Sequence, residues 1–181
     1  VKQGDRIINV NKIENNATIM LNEVNKHQVL EMVVVSATTE FKVIVDKTTG
    51  ASLGMNFVFK EDPPTLLIEA VTGGLMKQHN DQNPDKVVKQ GDRIINVNKI
   101  ENNATIMLNE VNKHQVLEMV VVSATTEFKV IVDKTTGASL GMNFVFKEDP
   151  PTLLIEAVTG GLMKQHNDQN PDKVVKQGDR I

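Results

Sequence analysis

The sequence contains no cysteine, no tryptophan and no tyrosine, and its only aromatic residues are six phenylalanines. Without cysteine there is no disulfide framework, no thiol nucleophile and no thiolate metal site, while secreted and intracellular settings both stay open. Six Phe leave little to stack on nucleic-acid bases. A formal net charge of -3 and a pI near 5.8 also lack the basic footprint that phosphate binding needs. Long apolar runs are missing as well. The longest, Met32-Val33-Val34-Val35, falls far short of the roughly 18 residues of a membrane helix and reads as a buried strand. Neither a nucleic-acid partner nor a membrane span is expected.

What the chain does have is the balance of a globular protein, 40% hydrophobic and 24% charged residues, and an internal repeat. Residues 88–174 reproduce residues 1–87 without a substitution, and Val175 to Ile181 begin a third copy of the opening Val1-Lys2-Gln3-Gly4-Asp5-Arg6-Ile7. Identity at this level points to an engineered tandem or a recently duplicated array. The first residue is Val1 rather than a translation start, and the chain opens and closes partway through one motif. A window onto something longer is therefore expected, with any leader or anchor outside it.

Within one period the punctuation predicts about six short strands and two helices. Lys2-Gln3-Gly4-Asp5 reads as a turn, and Arg6 to Asn11 as a strand. After a polar loop, Asn16 or Thr18 caps a helix running to about Gln28, with Ala17, Met20, Leu21 and Val24 on one face. Strands follow over Glu31 to Val35 and from Phe41 to Asp46, joined by the polar Ser36-Ala37-Thr38-Thr39-Glu40. Met55 to Lys60 alternates as another strand. Pro63 and Pro64 are expected to end pairing in the next turn, before a buried strand over Thr65 to Val71. Gly73-Gly74 breaks that strand, Leu75 to His79 forms a short helix, and Asn80 to Asp85 reads as a loop.

The stretch of greatest chemical interest is Thr49 to Phe57, repeated as Thr136 to Phe144. Its centre, Ser52-Leu53-Gly54-Met55, turns one strand into the next and is expected to present successive backbone N–H groups, a nest suited to a carboxylate. Gly54 allows close backbone approach, and Met55, Phe57 and Phe59 give the following strand an apolar face. Gly50-Ala51-Ser52-Leu53-Gly54 also matches a nucleophile elbow, but that motif needs a helix after its Ser and a strand follows here. No enzyme activity and no cofactor are expected. His27 and His79 lack an acidic or His partner at ligand spacing and read as solvated surface. Asn80 to Asp85 is oxygen-rich but lacks the Gly and closing Glu of a calcium loop. Asn16-Ala17-Thr18 and Asn103-Ala104-Thr105 are glycosylation sequons that matter only in a secreted chain. Lys47, just before the loop, is placed to steer a carboxylate or simply to be surface.

Taken in order, these pieces resemble a PDZ domain across the whole repeat. Gly4-Asp5-Arg6-Ile7 through Val10-Asn11, with its copy Gly91 to Asn98, is the most specific segment. Ser52-Leu53-Gly54-Met55 stands where that family has its Gly-Leu-Gly-Phe loop. The resemblance implies a mainly β fold with two short helices, a six-stranded, partly open sandwich or barrel, in tandem. It implies capture of a partner's C-terminus by strand addition, the carboxylate meeting Ser52, Leu53, Gly54 and Met55, with Leu53, Met55 and Phe57 lining the pocket for the last side chain. The second copy of this site is Ser139, Leu140, Gly141, Met142 and Phe144. Across the groove the resemblance places Met20 and Val24, and their copies Met107 and Val111, on the facing helix. Met20 cannot donate the hydrogen bond that a His gives there in the family, so an apolar peptide residue is expected. Lys26, His27 and Gln28 stand where the family has an apolar helix end.

In the family's frame only 38–124 forms an unbroken domain. Residues 1–37 are then the C-terminal half of one copy and 125–181 the N-terminal half of another. The loop at Ser52 is expected to face the helix at 104–115, and the loop at Ser139 to take its helix from the start of the chain or from another molecule. Completion within a chain, between chains by domain swapping or head-to-tail assembly, or locally through Ser36 to Glu40 all remain open, and some completion between chains is expected. Two functions follow. One is a scaffold binding C-terminal peptides, or neighbouring copies of itself, multivalently. The other is a structural array of an extracellular, cell-wall or mineral-associated matrix, its groove vestigial or self-filled.

Overall fold

A computed structural model of the chain describes residues 1–170; the third copy of the motif, Val175 to Ile181, lies outside the described residues. Among them the protein is mainly β, with the same order of elements twice. The first half-turn of the pattern is β1 (Arg6–Val10), β2 (Ile13–Glu14), α1 (Ala17–Lys26) and β3 (Val29–Val35). Next come β4 (Glu40–Asp46), β5 (Met55–Glu61), β6 (Pro64–Val71) and α2 (Gly74–Gln82). The repeat supplies β7 (Arg93–Val97), β8 (Ile100–Glu101), α3 (Ala104–Lys113) and β9 (Val116–Val122), then β10 (Glu127–Asp133), β11 (Met142–Glu148), β12 (Pro151–Val158) and α4 (Gly161–Gln169).

These elements form two compact units: Thr38–Ala124, which is continuous, and Val1–Ala37 joined to the chain from Thr125 onward. The continuous unit is a six-stranded antiparallel sheet in the order β4-β9-β7-β6-β5, with β8 paired onto β7. The split unit repeats it as β10-β3-β1-β12-β11, with β2 on β1. In each unit one edge strand, β5 or β11, follows the loop of interest.

Local chemistry accounts for most of this. In β4 the side chains of Val43 and Val45 are buried while Lys42, Ile44 and Asp46 are exposed, the period of a half-buried strand. β3 alternates in the same way, with Leu30, Met32 and Val34 inward. Asn16 caps α1, its Oδ1 accepting from the Ile19 N–H at 2.9 Å, and Asn103 does the same for Ile106 at 3.0 Å. Ala104, Met107 and Val111 turn the inner face of α3 into the core, which also holds Val43, Leu66, Ile68, Met76, Ile94, Leu117 and Met119.

The helix after Gly74 and the β5–β6 hairpin both run longer than their sequence suggests. The helix after Gly74 continues to Gln82 instead of ending at His79, so Asn80 and Asp81 are helical rather than part of a loop. Lys77 Nζ reaches Asp81 at 2.9 Å one turn on, and the Asn83 N–H and side chain both donate to the His79 carbonyl, so the helix stops only just ahead of Pro84. In the β5–β6 hairpin, pairing continues to Glu61 and Pro64 around Asp62-Pro63, and the two prolines do not end it. Pro64 is the first residue of its strand, where a missing N–H removes no ladder bond.

One buried carboxylate ties each unit together. Asp92, 0% exposed, accepts from the Lys89 and Ala124 N–H groups, each at 2.9 Å. Asp5 accepts from Lys2 and Ala37 at 2.8 and 3.0 Å. The turn before the sheet's middle strand is thereby pinned to the point where the chain leaves the unit.

Candidate functional site

The loop Ser52-Leu53-Gly54 is built by the helix that follows it in space, α2. The N-cap of α2, Gly73, has no side chain to satisfy the free N–H groups of the first turn. The loop's carbonyls do so instead. Leu75 N–H donates to Ser52 O and Met76 N–H to Leu53 O, both at 3.0 Å, while Thr72 N–H donates to Gly54 O at 2.8 Å. Such proximity requires glycine on both sides. A Cβ on Gly74, at φ +57, would stand 2.3 Å from Ser52 O.

A trans peptide points its N–H opposite to its C=O. With the carbonyls of Ser52, Leu53 and Gly54 all turned toward α2 and Thr72, the N–H groups of Leu53, Gly54 and Met55 face the other way. Among the described residues the Leu53 and Gly54 N–H groups have no backbone or side-chain acceptor. The copy is built identically: Leu162 N–H to Ser139 O and Met163 N–H to Leu140 O at 3.0 Å, Thr159 N–H to Gly141 O at 2.8 Å. Each loop is thus a pair of N–H donors with no acceptor within the protein among the described residues, at the head of an edge strand.

Side chains beside the donors are apolar. Leu53, Met55 and Phe57 are half-buried and pack on the core of the continuous unit; Leu140, Met142 and Phe144 do so in the split unit. Ser52 itself is exposed. Among the helices, α3 packs on β5 and α1 on β11. Their named residues, however, do not line an open wall. Met20 and Met107 are 0% exposed, and Val24 and Val111 are buried with them. They belong to the same cores on which the loop's side chains pack.

What the helix face and strand leave open is polar at one end and aromatic in the middle. A cleft of 460 Å³ lies between the start of α1 and the far end of β11, lined by Asn15, Asn16, Thr18, Phe146 and Lys147 among others. Phe146 and its copy Phe59 are 48% and 49% exposed. They continue the alternation of Met142 and Phe144, or Met55 and Phe57, and that alternation was the signal for them in the sequence.

The remaining candidates fall elsewhere. Lys47 does not reach the loop: its Nζ donates to the Val111 carbonyl at 2.5 Å, at the end of α3, and Lys134 bonds the Val24 carbonyl in the same way. His27 has an acidic partner after all, Glu23 Oε2 at 3.0 Å one helical turn back, and His114 meets Glu110 at 3.1 Å. His79 Nε2 lies 3.2 Å from the Lys86 carbonyl oxygen. Asn80 brackets Val88, donating to its O at 2.7 Å and accepting from its N–H at 2.8 Å, which fixes that stretch as structural. Among the described residues no group of three or more His, Asp or Glu is placed to hold a metal, and no helix is long and apolar enough to cross a membrane.

Neither the protein-family models nor the curated proteins compared with the chain give a match.

Proposed function

We infer that the chain is a non-enzymatic interaction scaffold of PDZ-like units, each taking a partner's C-terminal peptide as an added strand on the outer edge of β5 or β11. The observation that carries this is the pair of N–H groups at Leu53 and Gly54, and at Leu140 and Gly141, that head an edge strand and have no acceptor within the protein among the described residues. An extended peptide supplies the missing ladder partner, and its carboxylate is the acceptor those donors lack. Leu53, Met55 and Phe57 receive the last side chain, and the exposed ring of Phe59 favours an apolar residue further back. The strand order, with the first and last strands of the unit side by side, supports the family resemblance.

Two such grooves on one chain raise the affinity for a partner that carries two tails, without any new contact. Calorimetric titration with peptides ending in an apolar residue tests the reading. Hydrogen bonds to a charged acceptor contribute about 1.5–3 kcal/mol each, so replacing the free acid by an amide is expected to weaken binding about tenfold or more. Equal affinity for the two forms would remove the loop from the account.

A further inference from the structure

The halves of the two units are interchangeable. In the split unit Arg6 and Ile7 pair with Leu154 and Leu153, and Val29–Val35 pairs with Glu127–Asp133. In the continuous unit Arg93 and Ile94 pair with Leu67 and Leu66, and Val116–Val122 with Glu40–Asp46. These are the same residues in the same register, one repeat along. Side-chain chemistry therefore cannot distinguish the Val1–Ala37 segment of one molecule from that of another.

Each unit also brings its entry and exit together. Ser36 N–H donates to Thr126 O at 2.8 Å, and Ser36 Oγ accepts from Thr126 N–H at 2.9 Å. Thr39 and Ser123 repeat both bonds, each at 2.8 Å. A chain can leave a unit at this point and be continued by a different molecule with every internal bond kept. Local closure of β3 onto β4 is the poor alternative. The same register would pair Ser36 with Thr39 and leave Ala37-Thr38 as a two-residue hairpin turn. Such turns need positive φ and favour Gly or Asn, so β3 must find its partner strand further away.

We propose that two copies of this chain exchange Val1–Ala37, so that β1, α1 and β3 of each complete the half-unit beginning at Thr125 in the other. The resulting groove is composite: the loop Ser139-Leu140-Gly141-Met142 and β11 come from one molecule, and α1 comes from its partner. A reciprocal exchange of this kind is self-complementary and closes as a dimer. It goes beyond peptide capture and stands whether or not the groove takes a ligand.

Val35 and Glu127 are register partners across β3 and β10, and the sequence has no cysteine. The double variant Val35→Cys/Glu127→Cys of the 181-residue chain therefore reports which molecule supplies β3. The protein is unfolded, refolded at low and high concentration, oxidised, and examined by non-reducing electrophoresis, with light scattering of the unsubstituted chain alongside. Tethered segments see each other at an effective concentration on the order of 1 mM. Monomers with internal disulfides are expected well below that value, and the dimer fraction is expected to rise several-fold as refolding approaches it, with the disulfides of those dimers joining two chains. Three results would overturn the proposal: monomers at every concentration, dimers whose disulfides stay within each chain, or no disulfide at all, which would mean that β3 and β10 do not meet.

Discussion

Gly54 and Gly73 approach backbone to backbone: a Cβ on Gly54 would stand 1.9 Å from the Gly73 carbonyl oxygen and 2.8 Å from the Gly74 nitrogen. This contact holds the loop against α2 and turns its N–H groups outward.

Gly54→Ala is expected to lower the stability of the continuous unit by about 2–4 kcal/mol, combining a backbone overlap with a positive φ that alanine resists. Gly50→Ala is the control. Its φ of +77 matches the +75 of Gly54, yet nothing lies within 4 Å of its Cβ position, so only the conformational cost of about 1–2 kcal/mol applies. Urea denaturation of the two variants measures the difference. Equal losses would mean that the Gly54–Gly73 contact does not constrain the loop.

Asp92 makes stability depend on pH with a definite sign. Burial raises its carboxyl above the ordinary value, and hydrogen bonds from Ala124 and Lys89 draw it partly back. The folded state thus holds the proton to higher pH than the unfolded chain does. This group's contribution grows as pH falls through the folded-state value toward the unfolded one, and is lowest above both. Asp92→Asn keeps one acceptor for two N–H donors and is expected to cost about 1–3 kcal/mol at neutral pH. The deficit relative to the parent should widen on acidification. Exposed carboxylates such as Glu118 and Asp46, held low by Lys42 and Thr48 respectively, act in both proteins and cancel. Denaturation curves from neutral to mildly acidic pH check this, and a deficit that shrinks with acid would contradict the sign.

The two apolar sets around the groove should respond differently to substitution. Phe59→Ser and Phe146→Ser remove exposed rings and are expected to change stability by no more than about 1 kcal/mol. They should weaken peptides with an apolar upstream residue about five- to tenfold, a loss of about 1–1.4 kcal/mol. Met107→Ala opens the core and is expected to cost about 2–5 kcal/mol in folding. Calorimetry and urea denaturation on the same samples separate the two effects. Loss of affinity at Met107 without loss of stability would put that side chain back on the groove wall.

Much of the architecture was legible because it is local. Two-residue periodicity places the strands of Phe41 to Asp46 and Met55 to Lys60, the Asn16 side chain marks a helix start, and Gly4-Asp5 marks a turn. The loop at Ser52 could be singled out from its glycine and its flanking strands. Less legible was anything that depends on a distant partner. Met20 and Val24 lie on an apolar helix face whether they floor a core or line a groove, and only the sheet beneath them decides which. Lys47 precedes the loop in sequence, yet its charge is drawn to the free carbonyls at the end of α3, contributed from more than 60 residues away.

The sequence by itself determined the elements, their order and the identity of the two copies, since these follow from side-chain period, capping and turn chemistry within a few residues. Tertiary structure alone decided two things. It chose which first half meets which second half within the chain, β3 with β10 and β9 with β4, a choice that identical repeats leave chemically equal. It also decided which way the N–H groups of Leu53 and Gly54 point, because their carbonyl partners are consumed by the first turn of α2.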